Sequence, residues 1–192
     1  MNNLKPFDQV RLSTKRLLLR PLESADAQAL FAVFSDTKVM RYWSGVAWDS
    51  IDTADETIAR YSKALAENES LGLGIVDSQT DELIGTCSLF HLDEQSRRAE
   101  IGYSIASASW GKGYMHEALT ALINYGFDAL NLHRMEADTD PRNAASRRCL
   151  ERLGFVNEGL LRERWIVNNE ICDTSFYGLL RSDWQMHTQK SS

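Results

Sequence analysis

The chain has 192 residues, 43% hydrophobic and 25% charged, with a formal net charge of −6. Such a length suits one domain that buries roughly 70% of its unfolded surface, and the acidic balance offers no basic footprint for direct nucleic-acid binding. Three scattered cysteines, Cys87, Cys149 and Cys172, form no CxxC pair and no zinc-spaced cluster, so neither a disulfide framework nor a bound metal is expected.

The opening run Met1-Asn2-Asn3-Leu4-Lys5 lacks an apolar signal region, and no apolar stretch approaches the ~18 residues that span a bilayer. The expectation is a cytoplasmic protein with reduced thiols and no membrane partner. With no linker or repeat, residues 1–192 read as a single domain with flexible tails at about 1–8 and 186–192.

In chain order, Arg16 to Arg20 suits a first strand stopped by Pro21. Ala27, Leu30, Phe31 and Phe34 follow at helical spacing. A second helix opens near Thr53, where Thr53-Ala54-Asp55-Glu56 has capping-box spacing, and runs through Ile58, Tyr61 and Leu65. Leu71, Leu73 and Ile75 alternate as a strand, and Leu83 to Leu92 and Arg97 to Ile105 make two more. Tyr114 to about Asp128 is an amphipathic helix. Arg134 to Asp138 is a short strand, and Asn143 to Leu153 a helix closed by Gly154. Phe155 to Val167 and Ile171 to Leu180 form a hairpin about Asn168-Asn169, two residues that tolerate positive φ. The sum is an α/β (α+β) domain with a mixed, mainly antiparallel sheet of about seven strands. Its one βαβ unit, about Arg97 to Asp138, pairs two parallel strands.

The loop inside that unit, Ile105 to Met115, joins strand to helix through Trp110-Gly111-Lys112-Gly113-Tyr114. A helix N-terminus offers unpartnered N–H groups and partial positive charge, and glycines just ahead let backbone approach a phosphate. Pyrophosphate cradle and simple tight turn are both open on spacing alone. A dinucleotide fingerprint needs a third glycine where His116 stands, and no P-loop string is present.

These residues resemble the GNAT superfamily of N-acetyltransferases, whose cofactor loop reads Gln/Arg-x-x-Gly-x-Gly/Ala; Trp110, Gly113 and Met115 occupy those places. The Trp-Gly-Lys-Gly-Tyr form is similar to the RimJ/RimL-like branch of ribosomal-protein N-terminal acetyltransferases. Further landmarks follow in order: Arg16 to Pro21, Ala99 to Tyr103, Asp140 to Ser146, Leu153-Gly154-Phe155, and Glu158 to Arg162. The resemblance implies a GNAT fold with helices on both sheet faces, in which two parallel strands splay and hold the pantetheine of acetyl-CoA, a cosubstrate.

By that resemblance Ile105 offers backbone to pantetheine, and Trp110, Gly111, Lys112, Gly113, Tyr114, Met115 and His116 make the pyrophosphate loop. Asn143 and Ser146 lie near the thioester. It further implies direct transfer to a primary amine in a ternary complex, with a ribosomal protein N-terminus as acceptor and room for a homodimer. A small amine (amino acid, polyamine or aminoglycoside) and a silent CoA-binding module stay open.

Amine attack on a thioester calls for a carboxylate to meet the amine and a donor for the leaving thiolate. Glu100, on a strand face with Arg98, Gly102 and Ser104, is the carboxylate candidate; a paired strand glutamate is the plainer reading. Glu163 is a weaker one, because the RimL-like pattern has its glutamate where Trp165 stands. Much of the superfamily uses a tyrosine seven residues beyond the helix-opening asparagine, here Leu150. The RimL-like alternative is Ser146, which could equally bond locally at the helix start. His116 is expected at the loop and His91, His133 and His187 in structural or surface roles. Tyr42, Trp43, Trp48 and Trp165 could roof an acceptor cleft.

Overall fold

A computed structural model describes residues 6–190. Strand β1 (Leu12–Ser13) turns back onto β2 (Leu17–Arg20), where Leu17 and Leu19 are buried and Leu18 and Arg20 half-buried. Helices α1 (Ala27–Ser35), α2 (Thr37–Met40) and α3 (Asp52–Ala66) follow. Then come β3 (Leu71–Asp77), β4 (Glu82–Asp93), β5 (Arg98–Ile105), α4 (Tyr114–Asp128), β6 (Arg134–Thr139), α5 (Ala144–Arg152), β7 (Val156–Val167), β8 (Glu170–Leu180) and α6 (Arg181–Lys190).

The sheet has eight strands in the order β1-β2-β3-β4-β5-β6-β8-β7, one more than the seven expected. The extra strand is β1, too short to leave a periodic signature. All neighbours are antiparallel except β5 and β6. On one face α4 buries Leu119, Leu122, Ile123 and Phe127 against Leu73, Leu89, Ile101 and Met135. On the other, Leu30, Val33 and Phe34 of α1 and Ile58 of α3 cover Val76 and Leu83. With both faces covered, every residue of β3 is buried. Its alternate glycines are matched to that cover, for a Cβ on Gly72 would come within 2.9 Å of the Tyr61 ring on α3.

Two local expectations change. The Thr53–Glu56 capping box is not formed: α3 begins at Asp52, whose amide donates to Ser50 Oγ at 3.2 Å, so Thr53 already lies inside the first turn. Of the tails expected at about 1–8 and 186–192, Phe7 is buried in a 3-10 turn, and α6 carries regular structure to Lys190, its Trp184 buried and bonded to Asn124 at 2.8 Å. Residues 1–5 and 191–192 lie outside the described residues. The hairpin does turn on Asn168 and Asn169, at φ +51 and +63.

One feature of the sheet positions the site. Strands β5 and β6 pair only at Arg98↔Arg134, Ala99↔Met135 and Glu100↔Glu136. Beyond that point β5 stays with β4 as far as Gly85↔Ile105, and β6 stays with β8 as far as Thr139↔Ser175. Each strand follows its antiparallel neighbour, and a V opens between them. At the closed end Glu136 receives Arg98 and Arg134, both at 2.8 Å, and Arg134 continues to Glu158 at 2.6 Å.

Candidate active site

The loop at the head of the V is built on two left-handed residues, Gly111 at φ +73 and Gly113 at φ +78. Side chains resist that conformation, so glycine is required here by the backbone itself. The first bond of the α4 ladder runs from the Glu117 amide to the Gly113 carbonyl at 3.1 Å. The amides of Tyr114, Met115 and His116 therefore precede the ladder, and the positive end of the helix dipole adds to them. A Cβ on Gly111 would meet nothing within 4 Å, which leaves the approach to these amides clear.

Arg16 braces this loop from the strand β2 side, a role that the sequence reading missed. Its Nε bonds Glu117 at 2.6 Å, its Nη1 donates to the Lys112 carbonyl at 2.9 Å, and its guanidinium stacks 4.5 Å from the Tyr114 ring centre. Glu117 also receives the Arg16 amide at 2.8 Å and the Thr14 hydroxyl at 2.7 Å. Tyr114 donates to Asp77 at 2.9 Å. The only sequence signal was that Arg16 opens the first landmark run.

The other expected loop residues divide. Lys112 and His116 are exposed, while Met115 packs against the core. Partial desolvation of its ring against the protein lowers the His116 pKa, helped by the nearby Arg152 and His187. Trp110 folds back so that its indole donates to the Ile105 carbonyl at 3.0 Å, which ties loop to strand end. The buried Ser104 hydroxyl, one residue earlier, has no hydrogen-bond partner. An orphaned hydroxyl and a strand edge without a neighbour both fit an amide-bearing ligand laid along β5.

Across the V, Asn143 caps α5 and accepts the Ser146 amide at 3.1 Å. The Ser146 hydroxyl lies 2.8 Å from the hydroxyl of Tyr103, which alternation along β5 puts on the face opposite Glu100. Burial pushes the Tyr103 phenol well above its usual range, so it stays protonated. Leu150, where much of the superfamily carries tyrosine, is fully buried. Cys149 is pushed up to about 11 by burial and stays a thiol.

On the opposite face stand two carboxylates. Glu100 Oε1 lies 3.0 Å from His91 Nδ1. Asp138, absent from the sequence candidates, accepts from Trp165 Nε1 at 3.3 Å, with Arg164 Nε 3.7 Å away. Burial raises the Asp138 carboxyl; the Trp165 bond counters this and the charge of Glu100 adds to it. Glu163 does not join them: its amide donates to Asp173 at 2.8 Å and its side chain is exposed.

Of the four aromatics expected over a cleft, Trp48 stacks on Phe34 at 4.7 Å and Trp43 meets the same ring edge-on at 5.6 Å, so both belong to the packing of α1. Tyr42 lies 5.8 Å from Arg142, beyond the open end of the V, and Trp165 is on Asp138. Arg142 is itself held by Asp140 at 2.6 Å and Glu170 at 2.5 Å. Among the described residues no group of three or more His, Cys, Asp or Glu could hold a metal, and no helix is long and apolar enough to cross a membrane.

Comparison with known proteins identifies the family. The family model described as an acetyltransferase (GNAT) domain matches residues 16–156. The chain is 36% identical over 173 residues to "Uncharacterized N-acetyltransferase p20" of Bacillus licheniformis, covering 90% of this chain and 97% of that one. It is 30% identical over 181 residues to the "[Ribosomal protein uS5]-alanine N-acetyltransferase" of Escherichia coli, covering 92% and 93%. Among solved structures, spermidine N-acetyltransferase from Vibrio cholerae, in complex with CoA and spermine, superposes with a TM-score of 0.78 at 28% identity, covering 90% and 99%.

Proposed function

The chain belongs to the GNAT family of acetyltransferases, and from that premise we propose that its acceptor is the α-amine of a protein N-terminus, attacked directly in a ternary complex. That it is an acetyl-CoA-dependent N-acetyltransferase follows from the family itself. When bound, acetyl-CoA supplies an acetyl group already activated as a thioester, so no nucleophilic side chain has to carry it.

Supporting this reading is the parting of β5 and β6 just beyond Glu100↔Glu136, with Glu100 on one face and Ser146 and Tyr103 near the other. The loop of Gly111, Lys112, Gly113, Tyr114, Met115 and His116 takes the pyrophosphate on the amides ahead of α4, held in shape by Trp110 and Arg16. Ile105 and Asn143 flank the slot. The Tyr103 hydroxyl, kept neutral by burial, lies 2.8 Å from the Ser146 hydroxyl; when it donates to the Ser146 oxygen, the Ser146 proton is free for the departing thiolate. Glu100 presents the carboxylate that meets the acceptor's ammonium form. An α-amine near pKa 7.8 is about 14% neutral at pH 7, against ~0.04% for a lysine near 10.4. A site whose candidate bases are surface carboxylates is better matched to the first.

The likeness to a spermidine acetyltransferase favours a second reading, a polyamine acceptor. A thiol-release assay with acetyl-CoA separates the two, offering an Ala- or Ser-initiated peptide, the same peptide blocked at its N-terminus but carrying lysine, and spermidine. We expect turnover of the free-N-terminus peptide with kcat/KM at least tenfold above the others. Preference for spermidine would replace the first reading by the second.

A further inference from the structure

Among the register slips of β4 and β7, one in each strand aims at the mouth of the V. In β4 the register slips between Phe90 and Asp93, and His91, at φ +49, reaches Glu100. In β7 the register slips between Leu161 and Trp165, and Glu163 sits at φ +54. Consecutive residues of a regular strand face opposite ways. Past this bulge, Arg164 and Trp165 instead address the same carboxylate oxygen, Asp138 Oδ2, at 3.7 and 3.3 Å. A bulge that re-aims a side chain beside a cleft is a recurrent device, and both strands use it here.

Asp138 is two residues beyond Glu136, the last β6 residue paired with β5, so it is on the same face as Glu100 at the first step of the open half. Its side chain is 29% exposed, buried enough to feel its neighbours and open enough to be reached. The charged groups that face it are Glu100 from β5, His91 from β4 and Arg164 from β7, while its β8 partner Phe176 is neutral.

We propose that Asp138 is the second carboxylate of the acceptor site, receiving the proton that the ammonium must shed beside Glu100, with Trp165 as its positioning residue. This rests on the amine-acetylation reading above. In the step, the acceptor's N–H bond breaks, its electron pair stays on nitrogen, and the proton forms an O–H bond at Oδ1, the oxygen that Trp165 leaves free. A carboxyl raised by burial and by a like charge stands nearer an amine's pKa than an ordinary aspartate, which makes it the better base. Trp165 stands where the RimL-like pattern has a glutamate; in this chain the carboxylate comes from β6 and the tryptophan holds it.

The test titrates the Asp138 carboxyl carbon by NMR in the protein without acetyl-CoA, alongside the pH profile of kcat/KM for an Ala-initiated peptide. Expected are a midpoint above the ordinary value of about 3.9, a fall in Glu100→Gln as repulsion is removed, and a rise in Trp165→Phe as a donor is lost. The acid limb of the rate should move the same way in each variant. Asp138→Asn should lower kcat/KM at least 30-fold with acetyl-CoA affinity within twofold of wild type. A rate within threefold, or a midpoint that moves in neither variant, overturns the proposal. Should wild type turn over no amine, the function reading falls, and the titration alone decides: coupled shifts keep the pair, and unmoved midpoints remove it.

Discussion

The two halves of the β5–β6 pair carry similar residues to different ends. In the closed half each charge is answered: Glu136 by Arg98 and Arg134, and Glu158 by Arg134, over a floor of buried Ala99 and Met135. Past Glu100, the last paired β5 residue, the backbone ladder stops, and Glu100 and Asp138 share one face of the opening, with His91, Trp165 and Arg164 at their edges. A sheet that is satisfied does structural work. One that parts leaves hydrogen-bonding groups and charge for a ligand, and this contrast inside one strand pair is what makes the V the candidate site.

The contrast breaks most severely at its head. Gly113→Asp sets a carboxylate beside the bound pyrophosphate. Two charges 4 Å apart near a protein surface repel by about 4 kcal/mol, and Arg16, 3.6 Å from the new Cβ, offsets only part of this. Calorimetry should show acetyl-CoA affinity down about a hundredfold or more; unchanged affinity would mean that the loop does not hold the pyrophosphate. Next is Met135→Ala in the closed half, where the side chain is fully buried against Gly126 of α4. Truncation should cost about 3 kcal/mol of stability yet leave acetyl-CoA affinity of the folded protein within threefold. A larger loss of affinity would show that the halves are not separable. Smallest is Ser146→Ala, expected to lower kcat about tenfold, roughly 1.4 kcal/mol, with little change in KM for acetyl-CoA. An unaltered kcat, with chemistry shown to limit the rate, excludes the hydroxyl from thiolate departure.

How much of this could be read along the chain differs by element. The helix Tyr114–Asp128, the strand β4, the asparagine turn and the Gly154 stop were legible because each is written in contiguous periodicity or in one residue's backbone preference. Helix α6 was missed because its sequence is polar with little amphipathic pattern, Trp184 being its buried anchor. The glycine loop was legible as a shape, and its spacing excluded two other phosphate folds. Its brace was not, since Arg16 and Glu117 lie 101 residues apart.

For the proposed catalytic groups the limit is sharper. Glu100 and Ser146 could be nominated by pattern, and their partners His91 and Tyr103 could not. Asp138 looked like the last residue of an ordinary strand, and Trp165 like a loss of function at a glutamate position. Only the bulge at Glu163 brings them together, and a bulge depends on two strands competing for register, which one strand's sequence does not record. Thus the sequence alone determined the elements, the phosphate-shaped loop and the family, because these rest on local backbone preference and short-range spacing. Tertiary structure decided where the sheet parts and which carboxylates share the opening, because both depend on which long-range pairings win.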